Sequence, residues 1–130
     1  MFDSNRETFG IGVDVENVSR FAKSDIVKNV SFLHRVFTEE ELACCVNRKL
    51  QAQQLATRFA GKEAIFKALS SICLTKLGYH DIQIISNERS VPSITIQKDG
   101  FAGIYIYLSF SHTHDLAIAF AIARRLLGTK

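Results

Sequence analysis

The sequence predicts an α+β fold, in which a mostly antiparallel sheet packs on one long central helix. Three observations lead to this prediction: a glycine-containing strand near the N-terminus, a run of helical patterns through the middle of the chain, and alternating strands in the last third. Strands and helices that are segregated in this way are typical of α+β proteins, whereas a parallel sheet requires strands that alternate with helices.

The composition indicates a folded chain with a sizeable core. Hydrophobic residues make up 47% of the 130 residues and only one residue is Pro, so residues 1–130 are expected to form a single domain. The net charge of +3 suits an anionic ligand or an acidic partner but is too small to predict nucleic-acid binding. We expect neither a membrane span nor a secretory signal, because no apolar run or N-terminal charge pattern suits either.

The cysteines favour a cytoplasmic location. There are three of them, which is an odd number, and Cys44 and Cys45 are adjacent, so a framework of disulfides is not expected. No metal-ligand spacing links them to Cys73. We therefore expect three reduced thiols, as in proteins of the reducing cytoplasm.

The first predicted element is a strand from Thr8 to Val15. Gly10 and Gly12 lie on the same face of this strand, because side chains alternate along it. The same face continues to Asp14 and Glu16. Since glycine inside a strand often marks the close approach of a ligand or of another backbone segment, this face is bare backbone that ends in two carboxylates.

Short helices are predicted after the first strand. Asn17 to Lys23 has the pattern of a short helix, and the pattern from Asp25 to Arg35 is ambiguous, with helical spacing between residues 27 and 33. A clearer helix begins after Thr38, because Thr38 is a good N-cap and Glu41 stands at the third helical position, as in a capping box. This helix is expected to end between residues 46 and 48.

The long central helix is predicted from about Gln53 to Ser71, and only Gly61 disfavours it. Lys62 lies within its apolar stripe and Glu63 lies at the edge of that stripe. Buried charges must be paired or must bind a charged group, because an isolated buried charge costs several kcal/mol or more. The simpler interpretation is a surface helix with an ordinary Glu63–Lys67 pair at i,i+4.

Four strands are predicted in the C-terminal part of the chain, with a turn at residues 87–91 between the first two. The last of them, LAIAFAIA, is continuously apolar, which predicts burial on both faces or cover by a helix. A polar exit is expected from Arg124 onwards. The predicted strands are Asp81 to Ser86, Ser93 to Lys98, Tyr105 to Ser111 and Leu116 to Ala123.

Acidic side chains at two distant places in the sequence suggest a site for a divalent cation. Asp14 and Glu63 both occur where the local pattern favours a less charged residue. Converging carboxylates suit Mg²⁺ that also holds the phosphates of a substrate. Glu16 is either a third ligand or a solvated side chain. Lys62 and Lys67 would supply the cations that phosphate chemistry needs to balance charge.

A second group of polar residues ends the third C-terminal strand. His112 is a candidate phosphate contact and Ser111 a hydroxyl donor, although a polar strand end explains both equally well. A zinc site at His112 and His114 is disfavoured, because no further ligands stand at suitable spacing. The sequence contains neither a dinucleotide-binding fingerprint nor a P-loop.

Three segments of the chain together resemble one protein family. They are GIGVDVENVSRF, RFAGKEAIFKAL and LSFSHTHDLAIAFAI, and they extend from Gly10 to near the end of the last strand. In order and spacing they resemble the 4′-phosphopantetheinyl transferases, and the size resembles the short holo-acyl-carrier-protein synthase class. The resemblance implies transfer of the phosphopantetheine arm of coenzyme A to a serine of an apo carrier protein, with release of adenosine 3′,5′-bisphosphate.

The resemblance also implies roles for individual residues. Asp14 and Glu63 would bind Mg²⁺, and Lys67 would stabilise or protonate the leaving phosphate. Either Glu63 or water at the metal would deprotonate the carrier serine, and the sequence does not choose between them. The residues expected to contact coenzyme A are Arg58, Lys62, Ser111, His112 and Thr113.

The partners follow from the same resemblance. Carrier proteins of this kind are acidic, so Arg20 and Lys23 are expected to form the docking surface. A homotrimer with active sites between subunits is expected, and neither nucleic acid nor a membrane is expected as a partner.

Two departures from the family pattern leave an alternative open. The glycine-rich turn that follows the central helix in the family is replaced here by SSICLTKLGYHD, which contains Gly78 alone. In addition, Glu16 stands two residues after Asp14, as in the larger members of the family. The alternative is a non-catalytic relative that binds coenzyme A or a carrier protein without transfer.

Overall fold

The computed structural model describes residues 7–73, 75–86, 89 and 91–126. Within these residues the fold is α+β, as predicted, but the strands form two antiparallel sheets instead of one. The larger sheet has the order β1–β5–β4, and the smaller one pairs β2 with β3. The strands are β1 (Glu7–Asn17), β2 (Ile82–Ser86), β3 (Pro92–Ile96), β4 (Ile104–His112) and β5 (Leu116–Leu126).

The helices lie between β1 and β2 in the sequence. The capping box predicted for the third α-helix is present, with Thr38 and Glu41 bonded reciprocally. None of the helices in the described part of the chain is both long enough and apolar enough to cross a bilayer. The helices are α1 (Lys23–Lys28), α2 (Val30–Val36), α3 (Glu39–Cys45) and α4 (Gln51–Ser70), with 3₁₀ turns at Val18–Phe21 and Tyr79–Asp81.

The long helix α4 packs directly on the backbone of β1. A Cβ atom at Gly10 would stand 1.8 Å from the carbonyl oxygen of Ala68, and one at Gly12 would stand 2.0 Å from that of Ala64. The alanine side of α4 and the glycine face of β1 are therefore complementary. The close approach suggested by the two glycines is to another backbone segment, not to a ligand.

The two faces of the larger sheet have different environments. On the inner face, alternate alanines of β5 from Ala117 to Ala123 are buried beneath α4. On the outer face of the described chain, large apolar side chains are 44% to 67% exposed. Of the two alternatives predicted for β5, cover by a helix is therefore confirmed, and burial on both faces is not observed. The exposed residues of this outer face include Phe9, Ile11, Val13, Val15, Leu116, Ile118 and Phe120.

Several predicted boundaries differ from the structure for local reasons. The helix predicted at residues 17–23 is a 3₁₀ turn that ends at Phe21, because Ala22 has an extended conformation (ψ 148°) before α1 begins. The ambiguous segment is two helices separated at Asn29. The last strand continues to Leu126, because β1 is long enough to pair with it there. Most of the turn predicted at residues 87–91 lies outside the described residues.

All three cysteines of the described chain are free thiols, as expected, and their exposure differs. Cys44 is exposed, whereas Cys45 is buried. Burial raises the pKa of Cys45 to about 11, although the positive charge of Arg58 acts in the opposite direction.

Replacement of Gly12 by Ala is expected to destabilise the protein strongly. The new methyl group would collide with the Ala64 carbonyl, which is backbone and cannot rotate away, so we expect a loss of ~1–3 kcal/mol or more in unfolding free energy. Urea unfolding measures the change. The control is Gly78→Ala, where the nearest atom is a movable carboxylate oxygen of Asp81 at 3.3 Å. Equal midpoints for the two variants would contradict the packing described for β1 and α4.

Candidate active site

Two acidic side chains and a lysine meet where the inner face of β1 borders α4. Asp14 and Glu16 pair in register with the buried alanines of β5, so both lie on the inner face of the sheet. Lys67 Nζ donates to the carbonyl oxygen of Val13 at 2.9 Å and lies 3.3 Å from Asp14 Oδ1. The structure therefore brings together the end of the first strand and the second lysine of the central helix motif.

Glu16 lies close to Asp14 and has a perturbed acidity. Burial, followed by a hydrogen bond to Asp14 and the negative charge of that residue, raises the pKa of Glu16 to about 7. Arg20 acts in the opposite direction through an ion pair of 2.9 Å with Glu16 Oε1. Two neighbouring carboxyl groups repel each other when both are ionised, unless a further cation binds between them.

Glu63 joins this group through Tyr79. The Tyr79 hydroxyl donates a hydrogen bond to Glu63 Oε1. Burial, the hydrogen bond to Glu63 and the charges of Glu63 and Glu16 raise the pKa of Tyr79 to about 12. Tyr79 thus experiences the charges of acids from both β1 and α4, and it links Glu63 of the helix to the acids of the first strand. We call Asp14, Glu16 and Glu63 the acid cluster.

The alternative of a simple Glu63–Lys67 surface pair does not agree with the contacts of the described residues. The two side chains are one helical turn apart, but each has a different partner. Lys67 contacts Asp14 and Glu63 contacts Tyr79. Glu63 and Lys67 therefore connect α4 to two other elements and not to each other.

The acid cluster fits a divalent cation in charge and in hydrogen bonding. Asp14 Oδ2 is buried and has no hydrogen-bond donor among the described residues. The neighbouring Glu16 carboxyl group can donate to Asp14 only when it is protonated. Three carboxylates face two cationic side chains, those of Lys67 and Arg20, so the cluster has an excess of acid. The described residues contain no ready-made set of three His, Cys, Asp or Glu ligands. A Mg²⁺ ion, which keeps several waters and also binds substrate phosphates, needs only one or two carboxylates.

Lys62 does not lie in this site, contrary to the expectation from the resemblance. Its ammonium group is completely buried and lies 2.7 Å from Glu41 Oε1, whose side chain is buried as well. It also donates to the carbonyl oxygens of Val36, Tyr79 and Ile82 at 2.6–2.8 Å. With these acceptors around it, the ammonium group cannot also contact a phosphate. Burial lowers the pKa of Lys62, and the charge and hydrogen bond of Glu41 oppose this effect.

A separate cavity of about 310 Å³ lies between the N-terminal half of α4 and the end of β4. Arg58 lies beside it and donates to the Ile84 carbonyl at 3.1 Å and to Ser86 Oγ at 3.4 Å. Arg58 is almost fully buried and does not line the cavity, so its guanidinium group serves to connect α4 to β2. We call this the polar cavity, and it is lined by Gln54, Thr57, Ser86, Phe110, Ser111 and His112.

The three candidates at the end of β4 have different roles. Ser111 and His112 both line the polar cavity, although Ser111 pairs with Ile118 of the outer face and His112 with Ala117 of the inner face. Thr113 Oγ1 accepts hydrogen bonds from the backbone N–H groups at positions 115 and 116. The Thr113 side chain therefore closes the turn between β4 and β5.

The acid cluster and the polar cavity lie on different sides of α4. At ~100° per residue, Gln54 and Thr57 of the cavity point ~180° and ~120° away from Glu63 around the helix axis. The cluster borders β1, which forms one edge of the larger sheet, whereas the cavity borders β4 at the other edge. None of the residues of the acid cluster lines the polar cavity, so the two groups of predicted site residues occupy separate places in the described part of one chain.

One of the two predicted docking residues, Arg20, contacts the acid cluster through Glu16. The Arg20 guanidinium stands 5.0 Å from the ring centre of Phe59 and 5.6 Å from that of Phe32, in addition to its ion pair with Glu16. Lys23 begins α1 and is exposed. Arg20 also lines an open groove of about 470 Å³ with Ser19, Asp25, Ile26, Asn29, Phe32 and Arg35.

Sequence reasoning missed two partners of the predicted residues, one for Lys62 and one for Glu63. Glu41 was identified only as a helix cap, although the same carboxylate also neutralises Lys62. The need for a partner was visible in the sequence, since Lys62 lies in an apolar stripe, but the identity of the partner was not. Tyr79 gave no local signal, because it lies in a loop far from Glu63 in the chain.

Comparison with known proteins identifies the family of the chain. A model of the 4′-phosphopantetheinyl transferase superfamily matches residues 10–121. The holo-[acyl-carrier-protein] synthase of Protochlamydia amoebophila is 36% identical over 118 residues, which are 88% of this chain and 97% of that protein. The protein of the same name from Geobacillus kaustophilus is 37% identical over 119 residues, with coverages of 90% and 89%.

A solved structure gives the same result for the fold. The crystal structure of Helicobacter pylori holo-[acyl-carrier-protein] synthase in complex with coenzyme A is similar with a TM-score of 0.73 and 30% identity, and the match covers 87% of this chain and 98% of that one. Sequence motifs, fold and relatives agree, and the expected resemblance is confirmed. The chain belongs to the 4′-phosphopantetheinyl transferase superfamily, and within it to the holo-[acyl-carrier-protein] synthases.

Proposed function

We propose that the chain transfers the 4′-phosphopantetheine arm of coenzyme A to a serine of an apo acyl carrier protein, with Mg²⁺ as cofactor and adenosine 3′,5′-bisphosphate as the second product. The observation that carries this proposal is the acid cluster, in which Asp14 has an unpartnered carboxylate oxygen beside Lys67. Further support comes from the relatives that carry the name of this activity and from the one solved with coenzyme A.

The acid cluster has the groups that such a transfer requires. The serine oxygen attacks the phosphorus that carries the pantetheine arm, and the bond to adenosine 3′,5′-bisphosphate breaks. Mg²⁺, bound by Asp14 and Glu63, would neutralise charge on the pyrophosphate. Lys67 is held next to Asp14. Its ammonium group can stabilise the charge of the leaving phosphate or donate a proton to it. Glu63 is a candidate to accept the serine proton, and Glu16 is a candidate third ligand.

The polar cavity is the second half of the proposed site. Its histidine, His112, and its hydroxyls are suited to a phosphate, and we propose that they contact the 3′-phosphate of coenzyme A. Since the cavity lies across α4 from the acid cluster, a complete site requires the cavity of a neighbouring copy. We therefore propose a homotrimer with active sites between subunits.

The outer face of the larger sheet supports such an assembly. Its row of exposed Phe, Ile, Val and Leu side chains is continuous across β1 and β5. Contiguous apolar surfaces of this kind are rare on monomers and usually mark contacts between proteins. We propose that this face is the contact between copies, so that residues 1–130 act as one domain of an oligomer.

We also propose that Arg20 and Lys23 receive the acidic carrier protein. Both lie at the start of the helical layer, and Arg20 is ion-paired to Glu16 of the acid cluster. A carrier bound here would bring its serine to the acid cluster. Because the cysteines of the described chain are free, we propose the cytoplasm as the location of the reaction.

Glu63→Gln is expected to retain the fold and to lower Mg²⁺-dependent transfer by on the order of 100-fold or more, because it removes a charge that binds the cation and can accept the proton. Mass spectrometry of the carrier protein measures gain of one phosphopantetheine arm. The control is Glu39→Gln, which removes an exposed carboxylate from α3. Full activity of Glu63→Gln would exclude Glu63 from the site. Coenzyme A binding without any transfer by the unmodified protein would favour the non-catalytic alternative.

Ile118→Lys is expected to prevent self-association. The substitution adds a charge to the centre of the outer apolar face, and burying an unpaired charge in a contact is strongly unfavourable. Sedimentation velocity measures the mass in solution. Val30→Lys places the same charge on an exposed valine of α2 and serves as the control. If both variants sediment like the unmodified protein, the outer face is not the contact between copies.

Charge reversal at Lys23 is expected to raise KM for the carrier protein several-fold and to leave KM for coenzyme A unchanged, because the side chain would repel an acidic partner. Arg20→Glu should also impair turnover, since Arg20 is paired with Glu16. Steady-state kinetics with each substrate varied separate the two effects. Lys49→Glu, with the same change of charge outside α1, is the control, and an equal effect at Lys49 would argue against docking at α1.

A further inference from the structure

We infer that Tyr79 is a positioning residue for Glu63. Its hydroxyl holds one carboxylate oxygen of Glu63, so that the other oxygen is presented to the cation. This inference rests on the proposed function, because it assigns to Glu63 a role in metal binding. It concerns a residue outside the three motifs of the sequence. The hydrogen bond between the Tyr79 hydroxyl and Glu63 Oε1 is the starting observation.

The ring of Tyr79 has little freedom to move. It stacks on Phe59 with ring centres 5.6 Å apart and planes inclined by 25°. Phe66 meets it edge-on, with ring centres 5.0 Å apart. Both phenylalanines belong to α4 and flank Glu63 in the sequence. The hydroxyl is therefore aimed by the same helix that carries the carboxylate.

The backbone of Tyr79 is fixed as well. Lys62 Nζ donates to the Tyr79 carbonyl at 2.8 Å and to the Ile82 carbonyl at 2.6 Å. Adjacent residues of α4 thus hold the two ends of Tyr79: Lys62 binds its carbonyl group and Glu63 binds its hydroxyl. The loop before β2 cannot shift along α4 without breaking both contacts.

Lys62 is itself held by a fully buried acid. Glu41 accepts from Lys62 at 2.7 Å, from the Thr38 backbone at 2.9 Å and from the Ile84 backbone at 2.8 Å. Both side chains of the ion pair have zero exposure. Buried ion pairs are poor sources of stability but are sensitive to geometry, so this pair fixes the register between α4, α3 and β2.

This arrangement explains how a hydroxyl could influence metal binding. The hydrogen bond occupies Oε1 and restricts rotation of the Glu63 side chain, while Oε2 has no hydrogen-bond partner among the described residues. Hydrogen bonds to ligating carboxylates orient them, and loss of such a bond typically lowers metal affinity by ~10–100-fold. Tyr79 would therefore act through Glu63 without touching the substrate.

The test uses the full chain with Tyr79→Phe, which removes the hydroxyl and keeps the ring. Binding of Mn²⁺ in the presence of coenzyme A is followed by electron paramagnetic resonance, with no carrier protein present. We expect Mn²⁺ binding to weaken ~10–100-fold, with KM for the carrier protein unchanged in a separate assay. Tyr107→Phe removes an exposed phenol hydroxyl from β4 and is the control for Mn²⁺ binding.

Two results would overturn the inference. One is unchanged Mn²⁺ affinity in Tyr79→Phe. The other is a loss of Mn²⁺ affinity accompanied by a comparable rise in KM for the carrier protein and by a fall in thermal stability, as expected of a residue that only supports the fold. Failure of the proposed function is distinguishable, because it appears as absence of transfer by the unmodified protein, whereas the Mn²⁺ comparison involves no transfer.

Discussion

The close contact between α4 and β1 is the constraint on which the rest of the structure depends. Gly10 and Gly12 let the helix backbone approach the strand so closely that no side chain fits between them. The same contact brings Lys67 to Asp14 and fixes the distance between the strand and the helix. Because the acids of β1 follow directly after the glycines, packing and chemistry share one strand face. A change in this packing would therefore displace the acid cluster.

The adjacent residues Lys62 and Glu63 show that two neighbouring charged side chains of one helix can have different roles. Lys62 points into the core, where Glu41 and three carbonyl oxygens surround its ammonium group. Glu63 points towards β1 and Tyr79. A rotation of ~100° around the helix separates a structural ion pair from a candidate metal ligand. Removal of one partner of such a buried pair typically costs ~3–5 kcal/mol, so replacement of Lys62 is expected to destabilise the fold.

The distribution of polar and apolar surface connects the site to assembly. The acid cluster lies at one edge of the larger sheet and the polar cavity at the other, with α4 between them. The outer face of the same sheet exposes a continuous apolar surface. Association of copies through this face would bury that surface and could also bring unlike halves of the site together. An assembly of this kind would combine the acid cluster of one copy with the polar cavity of another.

Four features could be predicted before any coordinates, because they follow from periodicity, cap chemistry and motif order: the α+β class, the long central helix, the capping box at Thr38 and the acids of the candidate site. Three other features depend on how distant segments pack: the pairing of Lys62 with Glu41, the hydrogen bond from Tyr79 to Glu63, and the cavity lined by His112, which no residue of the acid cluster lines. Local patterns report the direction of a side chain relative to its own helix or strand. The partner that it meets depends on how distant segments pack, and no local pattern contains that information.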